Sequence, residues 1–195
     1  MHELILQENN MGPTTLHTDN LILRVENEFK AKEVLDLYTR NKTSFDMYEP
    51  TRPKNFYTID YHRAHLRGEY NSYLRGIFLR YYIYTNYRPD RIIGSVNFNI
   101  KEDNIGIYAE LGYKIDLLYQ NRGYACEASK AGIKVMKDKY NIQRIIAHIA
   151  PDNKPSVRLA EKMGFEKIGT ATLCANILGK NIYLDSYALN TSDIQ

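Results

Sequence analysis

The stretch Tyr113-Lys114-Ile115-Asp116-Leu117-Leu118-Tyr119-Gln120-Asn121-Arg122-Gly123-Tyr124-Ala125-Cys126-Glu127 holds the key to the fold. Leading into it, Ile107, Ala109, Leu111, Tyr113 and Ile115 alternate with Glu110, Lys114 and Asp116. Apolar residues at period two predict a strand with one buried face. A polar turn from Gln120 to Gly123 follows. The period then changes: Ala125, Ala128, Gly132, Val135 and Met136 fall on one helical stripe, and Lys134, Lys137 and Lys139 crowd the last turns, where cations complement the helix dipole. A strand, a basic turn with glycine and a helix, in that order, suit a phosphate. The first amides of a helix lack intrahelical acceptors and lie at its positive end. Gly123 lets a ligand approach the backbone closely, and Arg122 adds a permanent cation. Alone, such a turn also fits an ordinary strand-to-helix connection.

A second segment narrows the choice. After a strand expected over 143–149 comes Ala150-Pro151-Asp152-Asn153-Lys154-Pro155-Ser156-Val157-Arg158-Leu159-Ala160-Glu161-Lys162-Met163-Gly164-Phe165. Pro155 suits a first helical turn, Gly164 the position after the last one, and Phe165 can fold back on the helix, which predicts a helix over 155–163. With both segments in this order, the chain resembles the GNAT superfamily of N-acetyltransferases, and more narrowly its ribosomal-protein-alanine N-acetyltransferase branch. Gln120, Arg122, Gly123 and Ala125 match that family's pyrophosphate-wrapping signature. Asn153, Ser156, Gly164 and Phe165 match its later Asn-x-x-Ser and Gly-Phe segment. The resemblance runs over about 21–189 and is strongest over 94–169.

That resemblance implies an α+β fold: a mixed, mostly antiparallel twisted sheet of six to seven strands, flanked by about four helices, with a V-shaped cofactor cleft between the central strands. It implies acetyl-CoA as cofactor, released as coenzyme A. Gln120, Asn121, Arg122, Gly123, Tyr124 and Ala125 would hold its diphosphate, Ile115 would bond the pantetheine arm through its backbone, and Asn153 and Ser156 would contact the arm's lower part. The implied reaction is acetyl transfer to a primary amine, foremost the N-terminal α-amine of a ribosomal protein. Many members place a Tyr on the helix after the Asn motif; here that slot is Ala160. Ser156 resembles the serine proposed as acid in the ribosomal-protein branch, and Tyr187 is a possible substitute.

Such a reaction needs a grip on the thioester, a base for the amine and a proton or hydrogen bond for the departing sulfur. Glu110 is the foremost base: it alternates with Ala109 and Leu111, and beside an apolar cleft its pKa is expected to rise. Glu49 is the second choice. An α-amine titrates at about 7.7–8.0 and a lysine at about 10.4, so deprotonating lysine at neutral pH costs about 3 kcal/mol more. A peptide N-terminus is the easier acceptor for one carboxylate base. Acetylation of a polyamine, aminoglycoside or amino-acid derivative stays open as an alternative, as does a catalytically silent acyl-CoA-binding module, against which Glu110 speaks.

Composition sets the frame. A chain of 195 residues fits one domain, expected over 19–190 with a lead-in at 1–18 and a tail at 191–195. A net charge of +3 suits an anionic cofactor but is too mild for a nucleic-acid surface. The two cysteines, Cys126 and Cys174, are too few for a disulfide framework and point to a reducing compartment. With no apolar run long enough for a membrane and no signal pattern, the expected place is the cytoplasm, as a monomer or homodimer. Tyrosine, at 17 residues, is frequent enough to serve either a core edge or a wet cleft.

Elsewhere, 21–25 reads as a strand and 28–40 as a helix with Ala31, Val34, Leu35 and Tyr38 inward. Residues 41–56 read as irregular, a packed loop or an aromatic acceptor lip. A helix begins after Thr58 and runs to Arg75, with His62 and His65 on a solvated face; two histidines without a third ligand do not make a zinc site, and no metal is expected. A hairpin is expected over 77–85 and 92–101, a last antiparallel pair over 165–175 and 181–189, and a short strand candidate at 4–6.

Overall fold

The computed structural model describes residues 11–193; the candidate strand at 4–6 lies outside them. Among the described residues the sheet has eight strands, more than the six to seven expected: β1 (Thr15–His17), β2 (Leu21–Arg24), β3 (Phe78–Thr85), β4 (Gly94–Asp103), β5 (Gly106–Ile115), β6 (Arg144–Ile149), β7 (Glu166–Ile177) and β8 (Lys180–Asn190). Their order is β1-β2-β3-β4-β5-β6-β8-β7. The extra strand, β1, lies in the stretch read as a lead-in and pairs Leu16 with Leu23. Its three residues are too few to show a period, so only the partner strand reveals it.

Five α-helices among the described residues flank the sheet: α1 (Ala31–Arg40), α2 (Lys42–Asp46), α3 (Ile59–Leu74), α4 (Tyr124–Tyr140) and α5 (Lys154–Lys162). Residues 28–30, read as the start of the first helix, form a 3₁₀ turn capped by Asn27. On α1 the buried set is Ala31, Val34, Leu37 and Tyr38, so Leu37 rather than Leu35 faces inward. The short α2 interrupts a region read as irregular. Thr58 caps α3 as expected, its hydroxyl accepting from the Tyr61 amide at 3.3 Å. The supposed solvated face of α3 is not uniform: His62 is fully buried against Tyr38, Phe56 and Tyr61. Among the described residues, no helix is long and apolar enough to cross a membrane.

Alternation along the strands divides the core in two. Leu21, Leu23, Leu79, Tyr81, Ile83, Val96, Phe98, Ala109 and Leu111 join the α4 and α5 side, while Ile22, Tyr82, Tyr84 and Ile92 pack with α1 and α3. Gly132 brings α4 onto the sheet, since a Cβ there would collide with the Phe98 ring. The tyrosines of β3 are core residues whose hydroxyls find partners at its rim: Tyr81 donates to the Pro13 carbonyl at 2.7 Å and Tyr84 to Glu26 at 2.7 Å. A buried phenol needs such a partner to avoid the cost of a stranded polar group.

Every strand pair is antiparallel except β5–β6, which runs parallel and shares only the rungs 108–144, 109–145 and 110–146. Beyond Glu110, β5 stays paired with β4 as far as Ile115, and beyond Ile146, β6 stays paired with β8 as far as Ile149. The facing edges of β5 and β6 therefore part from one vertex. This is the V-shaped gap expected between the central strands.

Candidate active site

The gap opens into a cavity of about 820 Å³, a size typical of ligand sites. Gly112, Tyr113, Lys114 and Ile115 line it from β5; Ala147, His148 and Ile149 from β6; Asn153, Ser156 and Leu159 from α5 and the turn before it. Gln120, Asn121, Gly123, Tyr124, Ala125 and Cys126 close one end.

That end is built to be rigid. Asp116 is buried, accepts from the Leu118 amide at 3.1 Å and pairs with Arg40 of α1 at 2.6 Å. Asn41 accepts from the Leu117 amide at 2.9 Å. Gln120 folds back, Nε2 donating to the Ile115 carbonyl at 3.1 Å. Asn121 and Gly123 both take the left-handed conformation, at φ 59° and 81°. Such turns bring successive amides to one side, the geometry of an anion nest. The helical ladder of α4 begins only when the Glu127 amide donates to the Gly123 carbonyl at 3.0 Å. The amides of Tyr124, Ala125 and Cys126 thus precede it, at the positive end of a helix of 17 residues. The Glu127 carboxylate is engaged elsewhere: it accepts from Thr18 Oγ1 at 2.6 Å and from the Asn20 amide and side chain at 2.8 and 3.1 Å. Nothing lies within 4 Å of a Cβ built on Gly123, so a ligand has open access to this backbone. Free amides at the turn, an unpaired β5 edge for the amides of a pantetheine arm and a cavity joining them fit acetyl-CoA.

Arg122 departs from its expected place. Its guanidinium turns back to the Leu118 carbonyl at 3.2 Å and lies over the Tyr119 ring, and it does not line the cavity. Asn153 is an N-cap as well as a cavity residue, accepting from the Ser156 amide at 3.3 Å. Ser156 Oγ accepts from the Tyr113 hydroxyl at 3.0 Å. Tyr187 is buried in the core among residues of the α4 side and does not reach the cavity, so it is not available as an acid. It lies on the rung opposite Ala147, on the face that β8 buries, a choice of face that its own alternation did not fix.

Glu110 corrects the reading of the base. Ala109 and Leu111 point into the core, as expected, and Glu110 stands on the opposite face beside the vertex. There it pairs with Lys101 at 2.7 Å and with His148 Nε2 at 3.4 Å. The hydrogen bond from His148, with Lys101 adding to it against the opposing effect of burial, pulls its pKa down to about 2 rather than up. A carboxylate so stabilised is a poor base. His148, absent from the sequence reading, lines the cavity itself, with Nδ1 at 2.8 Å from Ser186 Oγ. Its one signal was position, near the C-terminal end of a parallel strand, where ligand sites of open sheets gather.

The far end is made of side chains from distant segments. Glu49 and Tyr48, after α2, line it together with Leu173, Ala175 and Leu184 of the β7–β8 hairpin. Burial would raise the Glu49 pKa, but Lys114 and Arg52 outweigh it and lower it; Lys114 forms an ion pair with it, and Arg52 Nη2 lies at 3.1 Å. A clasp closes this end: the Thr51 amide donates to the Asn176 carbonyl at 2.9 Å, Thr51 Oγ1 to Asn176 Oδ1 at 2.8 Å, and the Gly179 amide to Thr51 Oγ1 at 3.3 Å.

Residues 21–166 match the profile of the Acetyltransferase (GNAT) domain. The chain is 30% identical over 163 residues to the ribosomal protein uS5-alanine N-acetyltransferase of Escherichia coli K12, covering 84% of each. In fold it resembles a ribosomal-protein-S5-alanine acetyltransferase from Vibrio fischeri, with TM-score 0.81 and 20% identity over 94% of this chain and all of that one. It also resembles RimL, a ribosomal L7/L12 α-N-protein acetyltransferase solved with coenzyme A, with TM-score 0.79 and 21% identity over 92% and 97% of the two chains.

Proposed function

This chain belongs to the acetyltransferase (GNAT) domain family, and we propose that the amine it acetylates is the N-terminal α-amine of a protein, a ribosomal protein foremost. Family membership makes it an acetyl-CoA-dependent N-acetyltransferase. The observation that carries the acceptor is the likeness, across 84% of both chains, to an enzyme named for the N-terminal alanine of uS5. The chemistry agrees: no strong base lines the vertex, and an α-amine is about 3 kcal/mol easier to deprotonate at neutral pH than a lysine. The cytoplasm, where ribosomal proteins are made, is the place this reading assigns.

Acetyl-CoA supplies an activated acetyl thioester. The amides from Gly123 to Cys126 bind its diphosphate, and the open edge of β5 near Ile115 orients the arm toward the vertex. His148 is the proton acceptor in this reading. With Glu110 held as an anion, Nε2 keeps its hydrogen toward the carboxylate, and Nδ1 receives the proton from the ammonium as the Ser186 hydroxyl, 2.8 Å away, turns its hydrogen aside. Glu110 thereby serves as a fixed counter-charge to the imidazolium that forms.

Thiol release with acetyl-CoA tests the assignment, using peptides that carry ribosomal-protein N-termini, the same peptides with blocked N-termini, and polyamines. The free peptides are expected to exceed the polyamines at least about tenfold in kcat/KM, and His148→Asn to lower kcat by about 100-fold, within the usual range for a lost general base. Equal rates for polyamines and peptides would overturn the acceptor; an unimpaired His148→Asn would overturn the base.

A further inference from the structure

We propose that Tyr113 is the source of the proton that the departing coenzyme A sulfur receives, passed to it through Ser156. This rests on the acetyl-transfer reading above and deepens it: Ala160 offers no hydroxyl, and Ser156, which on α5 resembles the branch's acid, gains a proton source behind it.

The two side chains come from opposite walls. Tyr113 lies on β5 beyond the last rung shared with β6, and Ser156 lies in the first turn of α5, which follows β6. Both line the cavity, and their hydroxyls meet at 3.0 Å. The hydrogen bond thus spans the gap through which an arm must pass from the start of α4 to the vertex. Its direction matters. The phenol donates and Ser156 Oγ accepts, so the hydrogen of the serine is left free to point into the cavity. A serine alone is a reluctant acid, because losing its proton leaves an alkoxide; a phenol behind it removes that cost by refilling the oxygen as it empties. The Ser156 amide donates to Asn153 Oδ1 at 3.3 Å, which fixes its backbone, and the bond from Tyr113 holds its hydroxyl. Burial raises the Tyr113 pKa, which keeps the phenol loaded with its proton at neutral pH.

The step balances. The amine nitrogen forms its bond to the carbonyl carbon as the carbon–sulfur bond breaks and leaves its electron pair on sulfur. The Ser156 hydrogen moves to sulfur and the Tyr113 hydrogen moves to Ser156. The attacking nitrogen, which arrives as the free amine after His148 has taken its ammonium proton, sheds a second proton as the amide forms, and that proton returns the phenolate to a phenol. Tyr113 contacts Ser156 rather than sulfur, so it is a positioning and supplying residue.

The test uses the full chain with acetyl-CoA and whichever amine the wild type acetylates fastest. Tyr113→Phe is expected to lower kcat about 10- to 30-fold while KM for acetyl-CoA stays within about twofold. The plot of kcat against deuterium fraction should change from curved, for two protons in motion, to linear. Ser156→Ala should lower kcat at least as much, and Tyr113→Phe should add nothing on top of it. A Tyr113→Phe enzyme with unchanged kcat, or with a reduced kcat but the wild-type isotope curve, would overturn the relay and leave Tyr113 a packing residue. If Tyr113→Phe does not fold, the curve of Ser156→Ala decides alone: retained curvature overturns the relay, and a linear plot supports it. A wild type that releases no thiol above hydrolysis with any amine would instead remove the acetyl-transfer reading itself.

Discussion

The two ends of the cavity are made of different material. The end proposed for the donor, from Gln120 to Cys126, is backbone: two left-handed residues, a run of free amides and a helix start, all within one short segment. The end proposed for the acceptor is side chains, Glu49 with Lys114, and Thr51 with Asn176, joined across as many as 125 residues. Backbone recognition tolerates most side-chain changes but not a change of conformation or of space. Side-chain recognition fails wherever one partner is replaced.

The sharpest way to break this comparison is Gly123→Glu, which adds a carboxylate where a diphosphate would lie and forces a non-glycine residue to φ 81°. Acetyl-CoA affinity by calorimetry should fall by more than about 100-fold, or about 2.7 kcal/mol. Retained binding would mean that the donor lies elsewhere. Next, Thr51→Val removes the hydroxyl shared by Asn176 and Gly179. The KM of the amine is expected to rise about tenfold with the acetyl-CoA Kd unmoved, an effect of about 1.4 kcal/mol confined to one end; a matching shift in acetyl-CoA Kd would show that the ends are not separate.

Glu110→Gln has a smaller effect, and one that depends on pH. Because the folded-state pKa of Glu110 is depressed to about 2, its contribution to stability is present in full above the unfolded value of about 4.3 and is lost as pH falls from there to about 2. In urea titrations the variant should be less stable by about 1 kcal/mol at pH 7, after allowance for solvent screening, with the difference closing below about pH 3. A gap that widens toward acid would contradict the Lys101 and His148 pairing. Arg122→Ala should do least, changing the acetyl-CoA Kd by under about threefold, because the guanidinium is spent on Leu118 and Tyr119. A large loss there would move the donor grip from backbone to side chain.

The same contrast explains what could be read in the chain. The strand over 106–115, the turn at Gly123 and the helix after it are local patterns, and their periods and caps survive without knowledge of the rest. Asn153, Pro155 and Gly164 likewise mark α5 within one residue of its bounds. Arg122, turned back to Leu118 and Tyr119, is a local miss; the others that bear on the site are long-range. His62 looked solvated because burial on α3 depends on Tyr38 and Phe56 of other elements. Alternation put Glu110 on the right strand face, but its partners Lys101 and His148 arrive from neighbouring strands, and they reverse the direction of its titration. Tyr187 alternates well enough, yet which face of β8 is inward is fixed only by its pairing with β6.

The phenols sealed into β3 have an optical consequence. Tyr81, Tyr82 and Tyr84 are all held above the ordinary tyrosine pKa, first by burial. Their contribution to stability is present in full below the unfolded pKa near 10 and fades as alkali rises past it. The chain has no tryptophan, so phenolate absorbance has no indole background beneath it. In a titration with base, the near-ultraviolet absorption of these rings should shift to longer wavelength together and abruptly, as the sheet opens; ultraviolet absorbance is then a gauge of folding that needs no label.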